Sequence, residues 1–207
     1  MIYKEELKIV NMFRNKPFAE ITLHEIMTKL GKKSYNWTYK AVQKLNSKGI
    51  LKVRKIGKTL VCRYDFEDPA ALTYLLYSER LTGYEKVPKD LISKILKSLS
   101  RCTPYFILIV GGSYAENRAR KTSDLDLAVI VESKDIKKRI RPYLKDALQL
   151  AELKVDEHIF TKKEFREMLI RQEENFGKEL ARKHVILYGA DIYYSIIMEA
   201  HQSGFQG

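Results

Sequence analysis

Apolar residues recur at helical spacing over residues 3–13, which predicts a first helix. Thr22 and Glu25 fit the S/T-x-x-E capping box and predict a second helix that runs through Leu30. Ser34 is expected to cap a third helix, because a serine hydroxyl can accept a hydrogen bond from a free N–H of the first turn. The pattern therefore predicts three consecutive helices.

Two short runs rich in β-branched and apolar residues, 50–54 and 60–64, follow the third helix, and Gly57 lies between them. Such runs around a glycine-containing turn predict a β-hairpin. The order of three helices and a basic hairpin over residues 1–66 resembles the winged helix-turn-helix family. The resemblance implies that fold. The pattern of the third helix separately predicts Trp37 on its buried side.

The remainder of the chain alternates between helices and strands. Residues 67–89 are predicted to form a connecting helix and a linker, and residues 90–207 a second domain. Its strands are predicted at 105–110, 125–132 and 155–160. Its longer helices are predicted at 90–101, 135–153 (kinked or begun near Pro142), 164–171, 175–183 and 193–201. The fold class expected is α+β: a winged helix-turn-helix, then a small mixed sheet with C-terminal helices.

Charge is distributed unevenly along the chain. The net charge is +12, yet residues 1–64 hold 15 Lys and Arg against 4 Asp and Glu. A basic domain beside a nearly neutral one favours duplex DNA as a partner. The cations expected to contact it are Lys40, Lys44, Lys48, Arg54, Lys55 and Lys58. There are two alternatives. The charges form a solvated stripe, or the domain serves in protein docking or dimerisation, and in the last case the protein is a homodimer.

Composition excludes several other classes of protein. Hydrophobic residues make up 45% of the chain and charged residues 31%, which is typical of a soluble globular protein. No apolar run is long enough to span a membrane, and Glu5 and Glu6 stand where a signal peptide needs an apolar core. Cys62 and Cys102 are expected to be free thiols. A cytoplasmic protein without a membrane partner is predicted.

The segment from Gly112 to Asp126 carries the candidate chemistry. A predicted strand leads into Gly112 and Ser113, where glycine lets the backbone approach a ligand and a following helix presents free N–H groups to a phosphate. Asp124 and Asp126 stand two residues apart in a predicted strand, so their side chains share a face. Paired carboxylates repel each other unless a cation lies between them, and hard oxygen ligands suit Mg²⁺ or Mn²⁺.

The Gly-Ser-x10-Asp-x-Asp spacing resembles the polymerase-beta-type nucleotidyltransferases, in particular their minimal prokaryotic branch. The resemblance covers residues 90–200 and implies a third carboxylate on a later strand. Asp156 fits that position, with its neighbour Glu157 as the alternative. Asp124, Asp126 and Asp156 would then be the catalytic, metal-binding residues. The expected nucleotide-binding residues are Gly112, Ser113, Arg118, Lys121 and Ser123.

The sequence departs from the minimal branch at one place. Glu116 and Asn117 stand where that branch commonly has Arg-Gly. Asn117 can replace glycine because asparagine tolerates left-handed backbone angles. Glu116 adds an acid near the phosphate site, and the neighbouring cations Arg118, Arg120 or Lys121 are expected to offset it.

Two functions are compatible with these residues. The first is a nucleotidyltransferase that moves a nucleoside monophosphate, with ATP as the expected donor, to a hydroxyl acceptor. The spacing also looks like that of minimal antitoxin nucleotidyltransferases, for which the acceptor is a partner toxin, often a HEPN-type RNase. The second function is a winged-helix transcription regulator whose C-terminal domain only senses nucleotide.

Overall fold

A computed structural model describes residues 4–31, 34–81, 87–120, 122–149 and 151–207. The chain divides into two compact units: unit 1 is Met1–Glu79 with Gly207, and unit 2 is Arg80–Gln206. The fold is mixed α+β with two separate sheets. None of the helices in the described ranges is long and apolar enough to cross a membrane.

Unit 1 combines helices with a small antiparallel sheet. Its elements are α1 (Lys4–Asn11), β1 (Glu20–Thr22), α2 (Leu23–Lys29), α3 (Tyr35–Ser47), β2 (Leu51–Ile56), β3 (Thr59–Tyr64) and α4 (Pro69–Leu81). The strand order is β1-β3-β2. Sequence reasoning missed β1, a three-residue strand that pairs with β3 from Glu20 opposite Arg63 to Thr22 opposite Val61. So short a segment carries no periodicity, and its pairing with β3 defines it.

Local side-chain signals place the helix starts of unit 1 as predicted. The capping box is complete: the Glu25 N–H donates to Thr22 Oγ1 at 3.2 Å, and the Thr22 N–H donates to Glu25 Oε2 at 2.7 Å. Ser34 Oγ accepts from the Trp37 N–H at 3.3 Å. These bonds satisfy backbone donors that a helix start leaves without partners.

The predicted hairpin is present, with longer strands than expected. β2 and β3 pair in register up to Ile56 opposite Thr59, which leaves a two-residue turn. Gly57 in that turn has φ +58°, and no atom lies within 4 Å of the position a Cβ would take. Glycine is favoured there for its backbone angles alone.

Unit 2 is a four-stranded mixed sheet with helices on both faces. Its elements are α5 (Lys89–Leu99), β4 (Phe106–Val110), α6 (Gly112–Ala115), β5 (Leu125–Val131), α7 (Lys134–Leu148), β6 (Val155–Thr161), α8 (Lys162–Ile170), α9 (Phe176–Arg182), β7 (Val185–Tyr188) and α10 (Ala190–Gln202). The strand order is β6-β5-β4-β7. β5 and β6 run parallel, and β4 is antiparallel to both of its neighbours.

The alternation of β5 assigns its two faces. Leu125, Leu127 and Val129 are buried in a core that α5 and α7 share. The intervening residues, beginning with Asp126, point to the opposite face. The sheet thus presents Asp126 at the start of β5, on the side away from that core.

The structure of unit 2 differs from the predicted elements in two places. α7 ends at Leu148 rather than at 153, and Pro142 lies inside it. β7 was not predicted as a strand, although it completes the sheet beside β4. Tyr193 and Tyr194 of the predicted last helix are buried in the core.

Candidate active site

Parallel pairing of β5 and β6 brings two of the predicted carboxylates together. Asp126 stands opposite Asp156 in the register, so both side chains leave the same face of neighbouring strands. Asp124 lies just before β5 rather than within it, next to Lys154, whose carbonyl accepts the N–H of Leu125 at 2.9 Å. The three aspartates therefore lie at the N-terminal ends of β5 and β6.

Two of these carboxylates have a basic partner in the chain. Lys154 Nζ donates to Asp124 Oδ2 at 2.5 Å. His158 Nε2 lies 3.3 Å from Asp156 Oδ2. Sequence reasoning missed both partners, although a strand period of two places Lys154 and His158 on the same face as Asp156.

Glu157, the alternative to Asp156, occupies a different environment. Its register partner is Leu127, whose side chain enters the α5–α7 core. Glu157 lines a separate groove with Lys145 and Leu148 of α7. The two acids thus lie on opposite faces of the sheet, and Asp156 is the one beside Asp126.

The Gly111-Gly112 turn lies directly against Asp126. The Gly111 N–H donates to the Asp126 carbonyl at 2.9 Å. Gly112 has φ +56°, and a Cβ placed there would lie 1.8 Å from Asp126 Oδ2. Any side chain at residue 112 would therefore displace the Asp126 carboxylate, in addition to the strain of its left-handed backbone angle.

We expect Gly112→Ala to displace the Asp126 carboxylate and to destabilise unit 2 by about 3 kcal/mol, more than left-handed strain alone would cost. The matched control is Gly57→Ala, because Gly57 has nearly the same φ, +58°, but open space around it. That control should lose about 1 kcal/mol of unfolding free energy. Equal losses for the two variants, measured by urea unfolding, would show that the Asp126 contact is unimportant.

The electrostatics of Asp126 reflect this crowding. Partial burial raises the pKa of the Asp126 carboxyl above its ordinary value, and the charges of Asp156, Glu179 and Asp124 raise it further. His158 acts in the opposite direction. The ionised form of Asp126 is thus disfavoured by its surroundings and would be relieved by a bound cation.

The chemistry of the donors fits a divalent metal ion. The three carboxylates at the N-terminal ends of β5 and β6 supply hard oxygen atoms, the ligand type that Mg²⁺ and Mn²⁺ prefer. Within the described ranges, no group of three or more acidic, histidine or cysteine side chains is arranged to hold a metal ion as it stands. Asp124 and Asp156 would have to turn from Lys154 and His158 to ligate one.

The other predicted nucleotide-binding residues follow the glycine turn. Ser113 is half-buried, and its carbonyl accepts the N–H of Arg118 at 2.9 Å. Ser123 Oγ accepts the N–H of Arg120 at 2.9 Å, so this hydroxyl closes a local turn. Asn117 has φ +60°, the left-handed angle expected of it. Lys121 lies outside the described residues.

Glu116 is engaged by two cations. Arg118 donates to one of its oxygens, as the sequence led us to expect, and Lys183 Nζ lies 3.2 Å from the other. These contacts lower the pKa of the Glu116 carboxyl, with Arg118 the larger cause. Lys183 comes from the end of α9, and sequence reasoning did not single it out.

Helix α9 lies beside the end of the sheet that carries the carboxylates. The ring of Phe176 lies 4.4 Å from that of His158, between centroids. A groove of about 500 Å³ opens beside this helix. It is lined by Glu174, Asn175, Phe176, Glu179, Arg182 and Lys183.

In unit 1, the six predicted nucleic-acid contacts fall into two groups. Lys44 and Arg54 are engaged by acids: Lys44 Nζ lies 2.8 Å from Glu6, and Arg54 Nη2 lies 2.6 Å from Glu20. Lys44 is half-buried, whereas Arg54 stays exposed. The other four are also exposed: Lys40, Lys48, Lys55 and Lys58.

Exposed aromatic rings accompany this charge. Tyr35 and Tyr39 of α3 stack with 6.2 Å between ring centroids and have exposures of 58% and 39%. Sequence reasoning did not single them out. Their i, i+4 spacing places both rings on one face of the helix.

Comparison with solved structures finds two distant similarities. The crystal structure of a toxin-antitoxin with AMP-PNP is 17% identical, with 53% of this chain and 86% of that chain covered and a TM-score of 0.35. The structure of TrmBL2, an archaeal chromatin protein with a novel mode of DNA binding, is 10% identical, with 96% and 89% covered and a TM-score of 0.25. TM-scores this low do not establish a shared fold. No curated protein matches the sequence.

A family model gives the more specific result. The matched segment begins in α5 and ends at His184, two residues after the end of α9. It therefore contains the glycine turn, the three aspartates and the groove beside α9. Residues 90–184 match the model of the nucleotidyltransferase domain family.

Proposed function

We propose that unit 2 transfers a nucleoside monophosphate from an NTP, with ATP as the expected donor, to an acceptor hydroxyl. The observation that carries this proposal is the placement of Asp126 beside Asp156 and against the Gly111-Gly112 turn. The family match at residues 90–184 supports transferase activity. The acceptor hydroxyl gives up its proton, to Asp156 or to water, as its oxygen bonds to the α-phosphorus. The bond from that phosphorus to the oxygen that bridges to the β-phosphorus breaks, and pyrophosphate leaves.

The residues of the chain divide this work by position. Asp124, Asp126 and Asp156 would hold Mg²⁺ or Mn²⁺, which would neutralise charge on the triphosphate when bound. Gly112 and Ser113 would let the backbone approach the phosphates. Asp156 has a side chain 59% exposed, so an acceptor hydroxyl can reach it from solvent. Catalysis would then rest on positioning and electrostatics.

Incubation of the full chain with ATP labelled at the α-phosphate and a candidate acceptor protein, such as a HEPN-type toxin, tests the activity directly. We expect label to pass to an acceptor, pyrophosphate to be released, and both to stop in excess EDTA and recover when Mg²⁺ is added. A chain that binds ATP without releasing pyrophosphate under any of these conditions would contradict the proposal. It would favour the nucleotide-sensing regulator instead.

For the acceptor, we propose a protein hydroxyl, as in a partner toxin of the HEPN type. The support is the Gly-Ser-x10-Asp-x-Asp spacing, from Gly112 to Asp126, which resembles the minimal antitoxin branch. Co-incubation of such a toxin with labelled ATP should label the toxin. Label found only in added RNA would contradict this choice of acceptor while leaving the transferase activity intact.

For unit 1, we propose a winged helix-turn-helix that binds duplex DNA. The support is the excess of basic residues in the first 64 and the exposure of Lys40, Lys48, Lys55 and Lys58. Each phosphate that a lysine neutralises releases counterions, so the affinity should fall steeply as salt rises. An affinity that does not depend on salt would contradict this role.

A further inference from the structure

The acid at residue 116 lies between the glycine turn and helix α9. The Glu116 N–H donates to the Gly112 carbonyl at 3.2 Å, so Glu116 is one helical turn beyond the glycine that contacts Asp126. Its two oxygens contact different cations, Arg118 on one side and Lys183 on the other. Glu116 therefore connects the turn to α9.

The position of Lys183 in the chain is defined by its two neighbours, His184 and Arg182. Lys183 directly precedes His184, whose side chain is buried and whose Nδ1 lies 3.0 Å from the Ala181 carbonyl. The preceding residue, Arg182, points elsewhere, because both of its terminal nitrogens contact Glu174, at 2.7 and 2.8 Å. Lys183 is thus the cation at the end of α9 that reaches Glu116.

The cluster around Glu116 contains more cations than acids. One carboxylate faces two cations, Arg118 and Lys183, so this cluster keeps a net positive charge. Arg118 and, to a smaller extent, Lys183 lower the pKa of the Glu116 carboxyl, so it is ionised at neutral pH. A triphosphate beside Gly112 would bring more negative charge and more acceptor oxygens than one carboxylate, and charge-assisted bonds to phosphate are strong.

We propose that Lys183 is a further phosphate ligand of the nucleotide site, and that Glu116 occupies Lys183 and Arg118 until the phosphates of an NTP replace it. The proposal rests on the proposed function of unit 2. It also gives a role to the acid at residue 116: Glu116 keeps the two cations placed while the site is free of nucleotide and competes with the nucleotide for them.

Calorimetric titration of the full chain with Mg-ATP separates the two roles. Lys183→Gln should weaken ATP binding by about tenfold, the value of one charge-assisted contact. Glu116→Gln should instead tighten ATP binding by about threefold to fivefold, because the competing anion is removed. The tightening should shrink in the double variant, which lacks the Lys183 cation. All these effects should be smaller for AMP, which lacks the β- and γ-phosphates.

The matched control is Glu167→Gln. Glu167 belongs to another Glu–Lys pair of unit 2, with Lys163 at 3.9 Å on α8, and it takes no part in the proposed site. It should leave ATP affinity unchanged. Circular dichroism of each variant checks that the fold is retained, and Lys183→Arg should restore ATP binding if the cation is what matters.

Three outcomes would overturn the inference. If Glu116→Gln weakens ATP binding as Lys183→Gln does, Glu116 is part of the binding site and not a competitor. If neither variant changes the affinity while wild-type chain still transfers label from ATP, the inference fails and the proposed function stands. If wild-type chain binds no ATP at all, both fail together.

Discussion

Asp126→Asn is expected to reduce nucleotidyl transfer by about a thousandfold while leaving DNA binding by unit 1 unchanged. Asp126 is the carboxylate that contacts the glycine turn and stands opposite Asp156, so its loss removes the central oxygen donor of the site. The separate sheets of the two units give each its own core, which makes an effect on unit 1 unexpected. Release of pyrophosphate from ATP and retention of duplex DNA, measured on the same preparation, check the two halves of this result.

The thermal stability of the Asp126→Asn variant offers a second readout. Burial and neighbouring acids raise the pKa of Asp126, so at neutral pH its ionised form opposes folding. A neutral amide removes that opposition, so the metal-free variant should unfold at a higher temperature than wild type. The gain should be absent below the unfolded-state pKa of the carboxyl, where wild-type Asp126 is protonated in both states.

Matched variants test which acids belong to the proposed metal site. Asp156→Asn should resemble Asp126→Asn, whereas Glu157→Gln should stay active because Glu157 lies on the other face of the sheet. Asp146→Asn, at an exposed position of α7, controls for loss of a negative charge elsewhere in unit 2. Full activity in Asp156→Asn together with inactivity in Glu157→Gln would show that the third carboxylate is Glu157.

The features that could be predicted from the sequence are those set by neighbours in the chain. The Thr22–Glu25 capping box and the Ser34 cap depend on residues three positions apart, and both are present. Alternation along β5 correctly separated Asp126 from the buried Leu125 and Leu127. When the residues that determine a feature lie within four positions of one another, their side chains permit few alternative local structures.

The rest of the candidate site depends on pairing between distant segments. Lys154 reaches Asp124 because β6 lies parallel to β5 in one register, and that register cannot be read from either strand alone. His158, by contrast, contacts Asp156 within β6, two residues away. Lys183 reaches Glu116 across 67 residues of sequence, so no local spacing indicates it. β7 likewise becomes a strand by pairing with β4.

Lys44 of unit 1 is another residue whose contact with a distant segment could not be predicted from local spacing. Helical periodicity placed it in one stripe with Lys40 and Lys48, as a nucleic-acid contact. In the structure it is half-buried, and both oxygens of Glu6 accept hydrogen bonds from its Nζ, at 2.8 and 2.9 Å. Glu6 belongs to α1, so this pair joins the first and third helices. The side chain of Glu6 is only 7% exposed, which makes its partner important for folding.

Lys44→Glu is therefore expected to destabilise unit 1 by about 3 kcal/mol, because it leaves the buried Glu6 carboxylate beside a second acid. Lys40→Glu, one turn earlier on the same helix and fully on its exposed side, should change the free energy of unfolding by about 0.5 kcal/mol or less. Lys40→Glu should instead weaken duplex DNA binding. The chain contains a single tryptophan, Trp37 of α3, so its fluorescence during urea unfolding reports on unit 1.

A charge exchange completes the test. The double variant Glu6→Lys/Lys44→Glu restores an opposite pair and should recover most of the stability that Lys44→Glu loses, since the coupling of two contacting residues is not additive. Equal stability of Lys44→Glu and Lys40→Glu, combined with equal losses of DNA affinity, would contradict the structural role. Lys44 would then belong with the exposed lysines as a phosphate contact.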